Sequence, residues 1–359
     1  MLEMLRYKET YTLPFNESIP NLVDDYKKEI YKPKRLAKFL KRYFYLLFSK
    51  QFPLEKKIIE SNNTSILWIN ISASSFGDTL MDLSSRVLLK GKTLDLYTLE
   101  KNKELYGNDK FFRNIYSSAD KVNCNYDLII LDSYSTRTVK IKKMLAPNVN
   151  FISMFGFFNG PEINRVLFSF HRMNLLLKSK LSRSFIDDIA KPFMDLSNVS
   201  IQHDLPKKYI VITIGGEWEY RTYKSWNEVL LRLYKLYPDL SIVLVGSKNG
   251  SETSVYLEKK FAEFGILNFV GKLNFMETAK IISASNLFIG CDGGLMHVAN
   301  SWRIPSITLF AKVRPNMRLT KSTTFLAKYN WENVNNFSPQ EITETINRGI
   351  ILYCKDLRT

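Results

Sequence analysis

The spacing of apolar positions divides this 359-residue chain into stretches of different character. After Pro33, the residues Leu36, Phe39, Leu40, Tyr43, Leu46 and Leu47 recur at helical spacing, with lysines and arginines between them. From Ser65 short apolar runs alternate with amphipathic ones. SILWINI (65–71), LDLYTL (94–99), YDLIILD (126–132) and VNFISMF (149–155) predict strands, and TLMDLSSRVLL (79–89) predicts a helix. Residues 162–198 carry a mainly helical pattern without a strand signal. A second alternation follows. Its predicted strands are 208–214, 240–246, 267–271, an apolar run at 287–290 and 306–310; its predicted helices are 225–237, 251–264, 276–284 and about 338–353.

Strands alternating with helices of this length predict parallel sheets covered on both faces. Two such series imply an α/β protein of two Rossmann-like domains facing a central cleft, behind a basic helical N-terminal extension. The expected divisions are 1–62 for the extension, 63–200 for the first domain with its helical linker, 201–337 for the second domain and 338–359 for a C-terminal helix. Ligands of open α/β sheets bind beyond the carboxyl ends of the strands, so chemistry is sought in the loops that follow them.

Charge changes this picture. The chain carries a formal net charge of +16, which points to anionic partners. Between Lys27 and Lys57 there are eleven Lys/Arg against Glu29 and Glu55, a net of +9, so a charge equal to more than half of the excess is concentrated in this one segment. Such a segment either lies on an anionic membrane surface or packs its apolar face on the first domain. Cys124, Cys291 and Cys354 are widely separated, without metal-ligand spacing, as in a reducing compartment. No secretory leader pattern and no run of about 18 apolar residues is present. The expected location is cytoplasmic, with peripheral attachment to the inner face of the inner membrane as an option.

Three loops carry candidate chemistry. ASSFGD (73–78) offers small residues, Gly77 and the carboxylate of Asp78, which stands near a helix N-terminus and could simply cap it. GGEWEYRTYKSW (215–226) gives a tight exit at Gly215 and Gly216, and it places Lys224 just before a helix, where a cation suits a diphosphate. CDGGLMH (291–297) ends a strand with Asp292, leaves Gly293 and Gly294 bare, and opens a helix containing His297. Bare amides at a helix N-terminus bind anions. His297 is either a ligand-facing imidazole or a packing residue, and Cys291 reads as buried structure.

Taken together and in this order, Ser75, Gly77, Asp78 and Leu80, then Lys224 and Trp226, then Asp292, Gly294 and His297 with the strand 306–310 resemble glycosyltransferase family 9. That family comprises the heptosyltransferases of lipopolysaccharide core assembly. The resemblance spans roughly residues 64–355 and implies a GT-B fold and inverting, metal-independent transfer of heptose from ADP-heptose to a lipopolysaccharide or lipooligosaccharide core acceptor. It implies Asp78 as general base, with Ser75 and Gly77 on the acceptor side. Lys224, Asp292, Gly293, Gly294, His297, Gly215, Gly216, Gly246, Leu273 and Asn274 would surround the donor, and no cofactor or metal is expected. The absence of a DxD pair agrees.

Three departures stand out. Gly293 replaces a hydroxyl residue, Asn70–Ser72 stand where a lysine is frequent, and residues 1–62 have no counterpart. A GT-B transferase using a different nucleotide sugar is therefore the alternative within the fold. A basic, non-catalytic protein that binds nucleic acid or sugar is the alternative from another class, although no nucleic-acid module is present and none is expected as a partner.

Overall fold

The computed structural model describes Leu22, residues 32–122 and residues 125–354; the rest of the extension up to Tyr31, Cys124 and the last five residues lie outside the described residues. The chain forms two compact units. The first comprises residues 1–191 with 316–320, and the second 192–315 with 321–359.

In the first unit, β1 (Ser65–Asn70), β2 (Thr93–Thr98), β3 (Ile115–Tyr116), β4 (Leu128–Leu131) and β5 (Phe151–Ser153) form a parallel sheet of order β3-β2-β1-β4-β5. Ile66–Ile69 and Ile129–Leu131 have no exposed surface, which is why β1 and β4 read as continuous apolar runs. β3 spans two residues, too few to show a period.

The helix expected over 79–89 instead begins earlier, as α2 (Phe76–Asp82), and gives way to a 3₁₀ turn at Ser84–Leu88. Side chains compete for the carbonyls at its end: Ser84 Oγ donates to Met81 O at 2.7 Å and Arg86 Nη1 to Leu83 O at 2.8 Å. Helices α3 (Thr136–Leu145), α4 (Arg165–Leu177) and α5 (Arg183–Ile189) complete this unit.

The extension contributes α1 (Lys32–Phe48), whose inner face packs on this unit. Leu46 is fully buried in the cluster that contains Leu67, Ile69 and Phe151. The Phe39 ring lies 4.8 Å from Phe157, and Tyr43 lies 5.1 Å from Phe52. The residues 316–320 are tied to the same unit through Asn164 Nδ2, which donates to Asn316 O and Leu319 O at 2.7 and 2.9 Å, and through the Arg318–Glu162 ion pair at 2.8 Å.

In the second unit, β6 (Ile210–Thr213), β7 (Ile242–Val245), β8 (Leu267–Asn268), β9 (Leu287–Cys291), β10 (Ser306–Ala311) and β11 (Phe325–Asn330) form a parallel sheet of order β11-β10-β9-β6-β7-β8. Helices α6 (Trp226–Leu236), α7 (Ser251–Lys260), α8 (Phe275–Ser283), α9 (Gly294–Ser301) and α10 (Pro339–Tyr353) cover it. β11 is a half-exposed edge strand without a continuous apolar run, so periodicity misses it. The terminal helix α10 belongs to this unit's core: Ile342, Ile346 and Ile350 are fully buried beside Leu230 and Leu233 of α6.

Both strand orders reverse beside the first strand of the series, β1 against β4 and β6 against β9, and a crevice opens at such a switch point. At the β6–β7 exits the backbones meet closely. A Cβ on Gly246, whose φ is +152°, would stand 2.1 Å from Ile214 O. Gly246→Ala combines left-handed strain with a clash against backbone, so we expect a loss of about 2–3 kcal/mol and a fall in melting temperature of roughly 5–10 °C. Gly107→Ala serves as control, because its Cβ would meet nothing closer than 3.9 Å. Thermal unfolding of both variants checks this; equal melting temperatures would mean that the loops separate freely.

Candidate functional site

In the second unit, the loops leaving β6, β7 and β9 surround a cleft of about 170 Å³, lined by Thr213–Glu217, Arg221, Gly246, Ser247 and Cys291–Leu295. That is below the ~300–1,000 Å³ of a closed ligand pocket, so a larger ligand anchored there would protrude from it. The floor is bare backbone: Gly215 takes a φ of +89°, and Gly250 stands against Ile214 O. Asn249 Nδ2 donates to Gly216 O at 2.5 Å and closes the loop.

Polar groups converge on one pair. Asp292, whose side chain is 2% exposed, accepts from Arg221 Nη1 at 3.2 Å. Glu217 lies 3.8 Å from the same guanidinium and is mostly exposed. Arg221 also stacks over the Tyr220 ring at 5.7 Å, and Lys312 Nζ approaches that ring at 4.0 Å. Opposite them begins α9, whose N-cap residue, Gly293, has no side chain to satisfy the first-turn amides. Gly294 and Leu295 line the cleft, so the positive end of the helix faces it. Burial pushes the Cys291 thiol up to about 12, which leaves it a neutral wall of the cleft at pH 7.

The sequence candidates separate here. Gly215, Gly216, Gly246, Asp292, Gly293 and Gly294 come together around the cleft. Four others do not line it. Lys224 is exposed and paired with Glu219 at 2.6 Å, its own amide held by Asn335 Oδ1 at 2.8 Å. The 3₁₀ turn at Glu219–Arg221 turns the loop so that Arg221, three residues earlier, faces Asp292 instead. His297 is buried in α9 at 2% exposure, which favours its packing role. Asn274 caps α8 in a reciprocal capping box with Glu277, and Leu273 precedes it. That loop reaches the cleft only indirectly, through Gly271 N donating to Gly246 O at 2.9 Å.

Gly293 itself is extended, with φ 174°, and its Cβ would meet only Cys291 O at 3.9 Å. Close packing does not require glycine there. Cys291, read from sequence as buried, keeps partial exposure and lines the cleft.

In the first unit Asp78 occupies the first turn of α2. Ser75 caps this helix by accepting from Asp78 N at 3.1 Å, so the cap is Ser75 rather than the aspartate. Gly77 is buried in the same turn. The Asp78 carboxylate, about one-third exposed, lies 3.9 Å from Arg165 Nη1. Arg165 is held from below by two 2.7 Å bonds to both oxygens of Asp82. Burial pushes the Asp82 carboxyl above the usual range although Arg165 and its hydrogen bonds pull it down. Asp132 Oδ2 accepts from Ile71 N and Ser72 N at 2.9 and 2.7 Å, and so closes the β1–β4 crevice from inside.

Arg221 and Arg165 are the groups that sequence reading passed over. One sits within a quoted loop, and the other opens α4 about ninety residues from its partners, where no local signal marks it. Among the described residues, no cluster of three or more His, Cys, Asp or Glu side chains is placed to hold a metal ion.

The family model of glycosyltransferase family 9 (heptosyltransferase) matches residues 178–346. No curated protein sequence matches the chain. Among solved structures, the glycosyltransferase family 9 protein of Veillonella parvula superposes with a TM-score of 0.64 at 12% identity, over 82% of this chain and 99% of that one. ADP-heptose LPS heptosyltransferase II of E. coli gives 0.60 at 15% identity, over 80% and 98%. E. coli heptosyltransferase WaaC, solved with ADP-2-deoxy-2-fluoro heptose, gives 0.58 at 14% identity, over 79% and 99%. At these identities the superpositions establish the α/β fold, that of the GT-B heptosyltransferases. The match across residues 178–346, just under half of the chain, holds the whole β6–β9 cleft, so the stretch that builds the cleft is similar to the heptosyltransferases of family 9.

Proposed function

We propose that the protein transfers heptose from ADP-heptose to a hydroxyl of a lipopolysaccharide or lipooligosaccharide core acceptor, in one inverting displacement that needs no metal. The observation that carries the donor half is the β6–β9 cleft. It combines glycine-lined backbone, the open N-terminus of α9 and the Arg221 guanidinium, which are the groups a diphosphate needs. WaaC was solved with ADP and with an ADP-sugar analogue, which supports an adenine nucleotide as the carrier here.

In this mechanism Asp78 accepts the proton of the acceptor hydroxyl. The freed oxygen pair forms the new bond to the anomeric carbon, and the bond from that carbon to the diphosphate oxygen breaks, carrying its electrons onto ADP. The negative charge arriving on the diphosphate is met by Arg221 and the α9 amides. Asp292 orients Arg221, and its remaining lone pairs are available to a donor hydroxyl. Arg165 positions Asp78 while itself clamped by Asp82.

Asp78→Asn preserves the Ser75 cap, which uses the backbone amide, so the fold should survive. We expect kcat to fall by about 10²–10⁴ with ADP affinity unchanged. Retention of more than about a third of the activity would remove Asp78 from the base role.

Arg221→Ala should weaken ADP about 10–150-fold, the value of a charge-assisted hydrogen bond of ~1.5–3 kcal/mol, and should weaken AMP less. Lys224→Ala, outside the cleft lining, should have the smaller effect. Calorimetric titration with ADP, AMP and UDP tests the assignments together, with melting temperature as the folding control. A larger loss from Lys224→Ala would place the lysine on the diphosphate, and a preference for UDP would replace the donor.

A further inference from the structure

Helix α1 has two faces, and the described residues cover only one of them. Phe39, Arg42 and Leu46 point into the first unit. On the opposite side Lys34, Ala37, Lys41, Phe44, Leu47 and Phe48 are all exposed. Their spacing of three and four residues makes one stripe along the helix. The stripe is basic in its first half and apolar in its second: Phe44 is 44% exposed, Leu47 46% and Phe48 78%, and the two phenylalanine rings stack 5.9 Å apart. Single exposed apolar side chains are ordinary. Three grouped at one end of a helix form a patch of the kind that marks an interaction site.

The charge around the patch says what covers it. The sequence of α1 contains no Asp or Glu, and Lys50 follows just beyond its end. Helix α3, which packs beside α1, also lacks acidic residues. It exposes Lys140, Lys143 and Met144, and Lys142 Nζ binds Gln51 Oε1 at 2.6 Å, which brings α3 to the end of α1. An apolar tip flanked by lysines, on a helix whose other face is packed on the unit, complements a surface that is anionic at its boundary and apolar beneath. No described helix is long and apolar enough to cross a membrane. A folded anionic protein would offer charge without a yielding apolar layer, and nucleic acid would meet rings already stacked on each other.

We propose that the outer face of α1 docks the protein on anionic lipid, with Phe44, Leu47 and Phe48 entering the acyl–headgroup boundary and Lys34, Lys41 and Lys50 on the lipid phosphates. This surface belongs to the first unit and does not depend on the donor assignment.

Co-sedimentation of the full chain with vesicles tests it. Vesicles of phosphatidylcholine containing about one-third phosphatidylglycerol should bind the protein, pure phosphatidylcholine should not, and salt should weaken the binding. The variant Phe44→Ser/Leu47→Ser/Phe48→Ser should lose about tenfold or more of its partitioning. Phe48→Ser alone should lose a smaller share, which keeps the test valid should the triple variant unfold. Lys34→Glu/Lys41→Glu/Lys50→Glu should abolish the dependence on anionic lipid. ADP affinity should remain at wild-type level in all three variants. Wild-type protein that ignores anionic vesicles, or a Phe48→Ser variant that binds them as wild type does, overturns the proposal. So does a dimeric wild type that becomes monomeric in the serine variants, because the face would then belong to a second copy of the chain.

Discussion

Where β6 and β7 leave the second sheet, their backbones approach so closely that Gly246 and Gly250 both stand against the Ile214 carbonyl. The β6–β9 cleft depends on this contact. It holds the Gly215–Gly216 loop and the Ser247 loop together, keeps side chains off the floor and leaves amides facing the space at the switch point. A parallel sheet must splay its connections to opposite faces where the strand order reverses, and the resulting gap is filled here by glycine backbone on one side and the start of α9 on the other. The geometry selects for an anion before any charged side chain is considered.

Charge then refines the site in both units by the same device, an arginine fixed by a buried aspartate. In the second unit Asp292 fixes Arg221 at the cleft; in the first, Asp82 fixes Arg165 beneath Asp78. Removing a carboxylate from water is costly unless a partner is supplied, and each aspartate has one. The benefit is position: a guanidinium held by two bonds from below presents its remaining edge in a defined direction. The protein's large net positive charge is a separate matter. Six Lys/Arg without a single acid lie on α1, whereas in the cleft Arg221 is balanced by Asp292 and Glu217.

The two alternating series were legible because buried parallel strands such as Ile66–Ile69 and Val243–Val245 leave continuous apolar runs. β3 and β11 were not, one for its length and the other for its half-exposed edge position. The glycine loops and Asp292 announced themselves by their place after predicted strands, while the cation did not. Lys224 precedes a helix and looked suited to the diphosphate, but a 3₁₀ turn that no pattern foretells brings Arg221 to the cleft. Asp78 and Ser75 illustrate the same limit at one helix terminus, where either could cap and only geometry assigns the role to Ser75. In α1, periodicity revealed an apolar stripe, but not that apolar residues continue onto the outer face at its end.

Hydrogen exchange with and without ADP tests the central claim most directly. Amides at 214–216, 246–247 and 292–295, which border the cleft, should exchange more slowly when ADP is bound, and those at 71–78 in the first unit should be unchanged by the nucleotide alone. Slowed exchange confined to the first unit, or no slowing at the three loops at saturating ADP, would contradict the assignment of the β6–β9 cleft as the nucleotide-sugar site.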